Sequence, residues 1–332
     1  MKTPRLLSSS LAPVIQRYLR LKQTLGYRFG VGHDVLLSLD KFLAEAHCKD
    51  LTSESFFGWC QTLTKFTPKV RRSRMSIVRH FCFYRRRTQA QCFVPDPSLF
   101  PAAHQPVRPY IFSESEIVRL LKSSSCLRKS SVSPLRPEVF RLAIVLLYTT
   151  GLRLGELRRL TIGDYDRHQR TLLVQITKFH KSRLLPLPND VVREVERYLE
   201  TRRAGRCAVT PETSLIWNGR DGGRSYTAHG VQSCFRTLFI ASGICRPNGQ
   251  FPRIHDFRHS FAVNALLRWY RSGVDVQTQL PLLAAYMGHA SISSTAYYLH
   301  FIEPLRSLAS TRFAERYGSL ITSDGSSKRG AA

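Results

Sequence analysis

The chain has 332 residues, enough for about two domains at roughly 150 residues each, and carries 50 Lys and Arg against 23 Asp and Glu, a formal charge of +27. With 43% apolar residues and 11% aromatics, it has the surface to bury that separates a folded protein from a disordered basic tail. So large a charge calls for a polyanionic partner, nucleic acid or an anionic membrane. The membrane is the weaker choice, because the longest apolar run, Leu142 to Tyr148, falls far short of the ~20 residues of a spanning helix, and Met1 to Leu11 lacks a signal peptide's apolar stretch.

Helical periodicity runs over Leu11 to Thr24 and Asp34 to Ala46, through a segment capped by Thr52 or Ser53, and over Pro68 to about Arg87. In the last of these, Met75, Val78 and Cys82 form an apolar stripe, while Arg72, Arg79 and Arg86 recur every seven residues on another face. That face reads either as solvated surface or as a row of contacts to DNA phosphates. Five prolines between Val94 and Tyr110 remove backbone donors and forbid helix continuation, which places a linker there. Residues 1–93 are expected to form a helical DNA-binding domain, 94–109 the linker, 110–320 a second domain and 321–332 a flexible tail. The chain up to Arg108 carries about +12 and the remainder about +15, so both parts suit one polyanion.

After the linker, Ser113 and Glu116 form a capping box ahead of Ile117 to Lys122. Val139, Leu142, Ala143, Leu146 and Leu147 predict a buried helix that Gly151 ends. Thr171 to Thr177 and Arg183 to Pro188 read as a β-hairpin, and helical patterns resume at Val191 to Leu199, Ala228 to Ala241 and Asp256 to Tyr270. The fold expected is mainly α with a small β-sheet or hairpin. The eight cysteines never approach C-x-x-C spacing and are expected to be buried, reduced thiols.

Three segments carry chemistry: Thr150 to Leu157 (TGLRLGEL), His255 to Ala262 (HDFRHSFA) and Met287 to His300 (MGHASISSTAYYLH). His255 and Arg258 stand three apart at a helix start, so both side chains project to one side. Tyr298 follows His289 by nine positions.

On these residues the chain resembles the tyrosine recombinases of the phage-integrase family, over about 190 residues from near Pro109 to the segment after Tyr298. The family pattern is an Arg in a G-[LM]-R-x-x-E-L turn, a hairpin Lys, H-x-x-R, a G-H pair and a Tyr nine residues beyond that His. Arg153, Lys178, His255, Arg258, His289 and Tyr298 occupy these positions in order. The resemblance implies a two-domain architecture, a helical core-binding domain followed by an α+β catalytic domain. It further implies site-specific cleavage and rejoining of double-stranded DNA through a 3′-phosphotyrosyl intermediate, with neither metal, ATP nor other cofactor.

Elementary chemistry fits each role. Charge gathers on the non-bridging oxygens of a phosphoryl transition state, and Arg153 and Arg258 offer forks of donors to them. Tyr298 would be the nucleophile, with Tyr297 an adjacent rival that points about 100° away on a helix; the covalent link conserves the phosphoester energy. Lys178 would protonate the departing 5′ oxygen. Lys181 lies in the same turn, where Phe179 and His180 replace the usual glycine-containing sequence, and either lysine could bind backbone phosphate instead. His255 and His289 would hydrogen-bond the phosphate and assist proton movement. His259 reads as structural, and Glu156 as a buttress of the Arg153 turn.

His255 and His259 also have the i, i+4 spacing of a zinc site, but Arg258 beside them would repel a dication. A type IB topoisomerase and a catalytically silent DNA-binding protein remain as alternatives. The resemblance implies a dimer on each site and a tetrameric synapse, with other recombinases of the same mobile element as further partners. Ile302, Leu305, Leu308, Ala309, Phe313 and Tyr317 form an apolar stripe that would pack on its own domain or dock onto a neighbouring protomer. The location implied is the cytoplasm, at the bacterial nucleoid.

Overall fold

The computed structural model describes residues 7–27, 29–102, 108–175, 182–219, 223–289 and 291–301. The chain divides between Val107 and Arg108 into two compact units.

The first unit is built from α1 (Ala12–Thr24), α2 (Gly30–Glu45), α3 (Ser53–Gln61) and α4 (Pro68–Arg85). Proline opens α1 and α4, where its missing N–H costs nothing. Thr52 caps α3 by accepting from the Ser55 N–H, and the Ser55 hydroxyl accepts in turn from the Thr52 N–H. Ile15, Val35, Leu39, Phe56, Trp59 and Phe81 form the centre of its core.

The proline-bearing stretch begins as part of this unit, since Phe100 is buried in the same core. Arg72 Nη1 donates to the Pro101 carbonyl at 2.7 Å and Arg79 Nε to the Pro95 carbonyl at 2.9 Å. Two of the three arginines recurring along α4 therefore hold the chain that folds back over that helix, while Arg86 is exposed. Arg85, which no sequence pattern singled out, is 1% exposed and donates to Asp50 at 2.7 Å.

The second unit is organised around α6 (Arg136–Thr150), preceded by α5 (Glu114–Ser123) with the Ser113 and Glu116 capping box in place. Val139, Phe140, Leu142, Ala143, Leu146 and Leu147 are buried along one broad side of α6, and no residue on its other side is exposed, as in a helix enclosed by its neighbours. Gly151 ends it at φ +62°, and an added Cβ there would stand 2.6 Å from the Phe261 ring, so both the backbone and the close approach require glycine. The short α7 (Leu154–Leu157) follows at once.

A three-stranded antiparallel sheet comes next: β1 (Tyr165–Asp166), β2 (Thr171–Val174) and β3 (Arg183–Pro186), in that order. Leu172 pairs with Leu185 and both are buried, which fixes the register of the β2–β3 pair. β1 is an element that the hairpin reading lacked.

Then come α8 (Asn189–Ala204), α9 (Ala228–Ser242), α10 (His255–Arg271), α11 (Val276–Met287) and α12 (Ser293–Ala296), the last leading into a 3₁₀ turn at Tyr297–Phe301. Asp256 fixes the start of α10: its carboxylate, wholly buried, accepts from the Arg253 N–H at 2.8 Å and pairs with the Arg253 and Arg246 guanidinium groups. Phe257 stacks on Phe112 with ring centroids 4.4 Å apart and anchors the next residue of the same helix.

The cysteines are unpaired, but Cys126 and Cys245 are exposed, which corrects the expectation that all are buried. No helix among the described residues is long and apolar enough to cross a membrane.

Candidate active site

Four segments distant in sequence meet at the C-terminal ends of α6 and α11. Arg153 stands at the N-cap of α7, held by the turn at Gly151. Its backbone N–H donates to Glu156 Oε2 at 3.0 Å, its Nη1 to Glu156 Oε1 at 2.7 Å, and its Nη2 to the Gly288 carbonyl at 3.0 Å. Arg258, on the first turn of α10 and 1% exposed, donates from Nη1 to the Gly151 carbonyl at 2.7 Å and from Nη2 to the Met287 carbonyl at 2.6 Å. Consecutive carbonyls of the chain leaving α11 thus orient both arginines.

Gly288 makes that possible. It adopts φ +67°, and its Cα lies so close to the Arg183 guanidinium that an added Cβ would stand 2.8 Å from Nη1. The glycine of the G-H pair therefore supplies a left-handed backbone and a place for a cation to lie. His289 follows, with Nδ1 hydrogen-bonded to Thr295 Oγ1 at 2.7 Å.

Tyr298 is only 3% exposed. Its ring stacks near that of His289 at 6.1 Å and meets the edge of His259 at 5.4 Å. His259 in turn lies 4.7 Å from His255, ring centre to ring centre. Tyr297 is half-buried and contacts Tyr298 at 6.0 Å, so it is Tyr298 that packs between the two histidine rings.

The electrostatics favour an incoming anion. Burial, then the Arg153 charge, lowers the Arg258 pKa to about 10, which leaves the guanidinium charged at neutral pH. Burial followed by the charges of Arg258 and Arg153 brings His289 down to about 4, and burial with His255 brings His259 to about 4. His255 lies open to solvent at the start of α10, yet the surrounding protein volume and the charges of Arg258 and Arg253 also depress it. Burial raises the Tyr298 hydroxyl, against the pull of Arg258. At neutral pH the three imidazoles are accordingly neutral, Arg153 and Arg183 share the buried Glu156, and the other buried carboxylate nearby, Asp256, is paired with Arg246 and Arg253.

Arg153, His255, Arg258, His289 and Tyr298 are thus brought together. Lys178 and Lys181 lie outside the described residues; the strands that flank them, β2 and β3, are in place. Glu156 is the buttress expected, 3% exposed. Sequence reasoning missed Arg183, which donates from both Nη atoms to Glu156, at 3.2 and 2.8 Å. His259, read as structural, is buried, and its Nδ1 has no hydrogen-bond partner among the described residues. No group of three His, Cys, Asp or Glu side chains among those residues is disposed to hold a metal ion.

Residues 112–303 match the sequence profile described as the phage integrase family. The chain belongs to that family. Its members, the tyrosine recombinases, break and rejoin DNA strands, and this is the activity class of the chain.

A putative integrase/recombinase, y4rB, of Sinorhizobium fredii is 30% identical over 318 residues, covering 93% of this chain and 98% of its own. The tyrosine recombinase XerD of Caulobacter vibrioides is 31% identical over 283 residues, 84% of this chain and 83% of its own. The fold is also that of XerH bound to palindromic difH substrate in a post-cleavage complex, with TM-score 0.60 at 18% identity over 84% of this chain and 78% of the other. The Tn1549 transposon integrase in complex with circular intermediate DNA aligns with TM-score 0.60 at 18% identity, over 88% of this chain and 95% of the other. The mainly helical fold with a small sheet, expected from the helical and strand patterns of the sequence, is the fold found.

Proposed function

We propose that the chain is a site-specific DNA recombinase whose nucleophile is Tyr298, with Arg153 and Arg258 as the phosphate clamp and His255 and His289 as hydrogen-bond and proton-handling groups. The observation that carries this reading is the convergence of Arg153, Arg258 and His289 on the chain at 287–289, with Tyr298 packed against the last of them.

Tyr298 Oη attacks the scissile phosphorus, its proton passing to a neighbouring base or to solvent, and a phosphotyrosyl bond forms at the DNA 3′ end as the bond to the 5′ oxygen breaks. The departing 5′ oxygen takes a proton, for which Lys178 is the donor by its motif position, and a 5′-hydroxyl is released. Rejoining reverses these steps with another 5′-hydroxyl as attacker. The two guanidinium groups neutralise charge that grows on the non-bridging oxygens, and their preset orientation avoids reorganisation during the reaction. His289, with Nδ1 committed to Thr295, has Nε2 available to the phosphate, and its neutral state lets it accept or relay a proton.

Double-stranded DNA is the partner in this reading, contacted by both units of the chain. Recombination needs four cleavages, so the assembly is a dimer on each site and a tetramer in the synapse. The apolar stripe from Ile302 to Tyr317, outside the described residues, would couple the protomers by docking in trans.

The test uses a duplex recovered from a random pool by retention on the purified chain, nicked near the cleaved position to trap the intermediate. A denaturant-resistant protein–DNA adduct is expected in the presence of EDTA, lost in Tyr298→Phe and kept in Tyr297→Phe. An adduct retained by Tyr298→Phe but lost in Tyr297→Phe would contradict the assignment.

A further inference from the structure

Beneath the phosphate-clamping arginines lies a buried ion cluster whose third cation, Arg183, has no place in the motif set. It is the first residue of β3, paired in register with Val174 of β2, and its side chain is 10% exposed against 30% for Arg153. Both Nη atoms are spent on the two oxygens of Glu156, a fork-to-fork pairing that fixes direction as well as distance. We propose that Arg183 is a positioning residue for strand cleavage, holding Glu156 and the Gly288 turn so that Arg153 presents its remaining donors to the scissile phosphate. The inference deepens the proposed function and rests on it.

Arg183 touches both structures that orient Arg153. Glu156 accepts from the Arg153 backbone N–H and Nη1 as well as from Arg183, so one carboxylate with 2% side-chain exposure is shared by two guanidinium groups. The Gly288 carbonyl accepts from Arg153 Nη2, and the Cα of that same glycine lies against the Arg183 guanidinium. Burial by itself would raise the Glu156 pKa; the Arg183 hydrogen bonds, followed by those from Arg153, bring it down to about 2.

Without Arg183, a dry carboxylate would face Arg153 alone. Leaving buried acceptor sites empty is costly, and the arginine would relieve the cost by turning further into Glu156. Every donor so spent is lost to the phosphate. The Gly288 turn would also lose the cation it packs on, loosening the carbonyls that orient Arg153 and Arg258. Arg183 itself is turned toward Glu156 with both Nη atoms, its Nε is enclosed, and its side chain is a third as exposed as that of Arg153, so its part is to hold Glu156 rather than to meet the phosphate.

The experiment compares single-turnover adduct formation on two substrates: the selected duplex, and the same duplex with a methylphosphonate at the mapped scissile position. The methylphosphonate centre carries no non-bridging negative charge, so correct placement of a neutralising arginine matters less to it. Arg153→Ala, Arg183→Met, Arg183→Lys and Glu156→Gln are each measured as the ratio of native to methylphosphonate rate, which is independent of the fraction of folded enzyme. Arg183→Met is expected to slow native cleavage at least ~10-fold, on the scale of a displaced transition-state donor. Its native-to-methylphosphonate ratio should fall in the same direction as for Arg153→Ala, and Arg183→Lys should recover part of the loss. If Arg183→Met does not fold, Arg183→Lys and Glu156→Gln carry the same comparison.

Cleavage of the native duplex by Arg183→Met at the wild-type rate would overturn the proposal. So would an equal slowing on both substrates while Arg153→Ala shows the selective loss. A wild-type chain that forms no adduct, or an Arg153→Ala variant that cleaves normally, would instead overturn the reading of the site itself, and the proposal with it.

Discussion

Arg153, Arg258 and His289, three of the groups proposed to act on the phosphate, are each held by a neighbour in the chain or by one met only in the fold. Arg258 illustrates the second: its two bonded nitrogens reach carbonyls at Gly151 and Met287, residues 107 and 29 positions away. Removing either clamp cation takes away a donor preset toward developing charge, so Arg153→Ala and Arg258→Ala should each slow cleavage by at least ~10²-fold in single-turnover assays. A loss below about threefold in either would contradict the roles given them. The histidines add a pH signature. His259 is 9% exposed and holds a folded-state pKa of about 4, against the ordinary value near 6.5 in the unfolded chain. Between those values the unfolded state binds more protons, so acidification from pH 6.5 toward 4 costs stability, by up to about 1.4 kcal/mol per pH unit for one such group. His259→Leu removes a buried nitrogen that lacks a partner among the described residues, and urea unfolding should show a shallower loss between pH 6.5 and 5 than in the wild type. Identical slopes would mean that His259 is not held neutral. At this scale the sequence spoke clearly wherever a motif is local, as in Arg153 with Glu156 or His255 with Arg258. Arg183 was illegible because Glu156 lies 27 residues away and one more arginine among 50 basic residues carries no signal.

At the level of elements, α6 was legible because Val139, Leu142, Ala143, Leu146 and Leu147 recur at helical spacing and the helix ends at a glycine in the left-handed conformation. α11 was not: Pro281 stands inside it, and its N-cap, Asp275, follows Gly273 in a stretch that reads as loop. Yet α11, whose Leu280, Leu283, Ala284 and Met287 do recur at helical spacing around that proline, delivers the Met287 and Gly288 carbonyls to the arginines. On α4, a seven-residue recurrence of arginine gave two readings, solvated face or phosphate contacts, and neither included packing on the following chain. Arg72 and Arg79 bind the carbonyls of Pro101 and Pro95, whereas Arg86 is exposed. Arg86→Ala should reduce the slope of log K for DNA binding against log salt by about 1. Arg72→Ala and Arg79→Ala should instead lower the thermal midpoint and leave the slope nearly unchanged. Filter-binding titrations and thermal melts separate these, and a loss of slope in all three variants alike would restore the whole row to phosphate contact.

For the molecule as a whole, the charge of +27 was the first indication of a polyanionic partner, and it is spread over both units. A boundary between two units could be expected from proline placement because five prolines clustered between Val94 and Tyr110 leave no room for an α-helix, though the chain as far as Phe100 packs into the first core. What no composition or period could show is the convergence itself, in which residues from 151 to 298 meet through backbone carbonyls and ring contacts. The central claim is that this convergence makes Tyr298 a nucleophile toward DNA, and mapping the adduct tests it most directly. The trapped protein–DNA complex is digested with protease and nuclease, and the tyrosine that carries the nucleotide is located by mass spectrometry. A 3′-linked nucleotide on Tyr298 is the result expected; a nucleotide on Tyr297 or on any other residue, or cleavage without a covalent intermediate, would contradict the account.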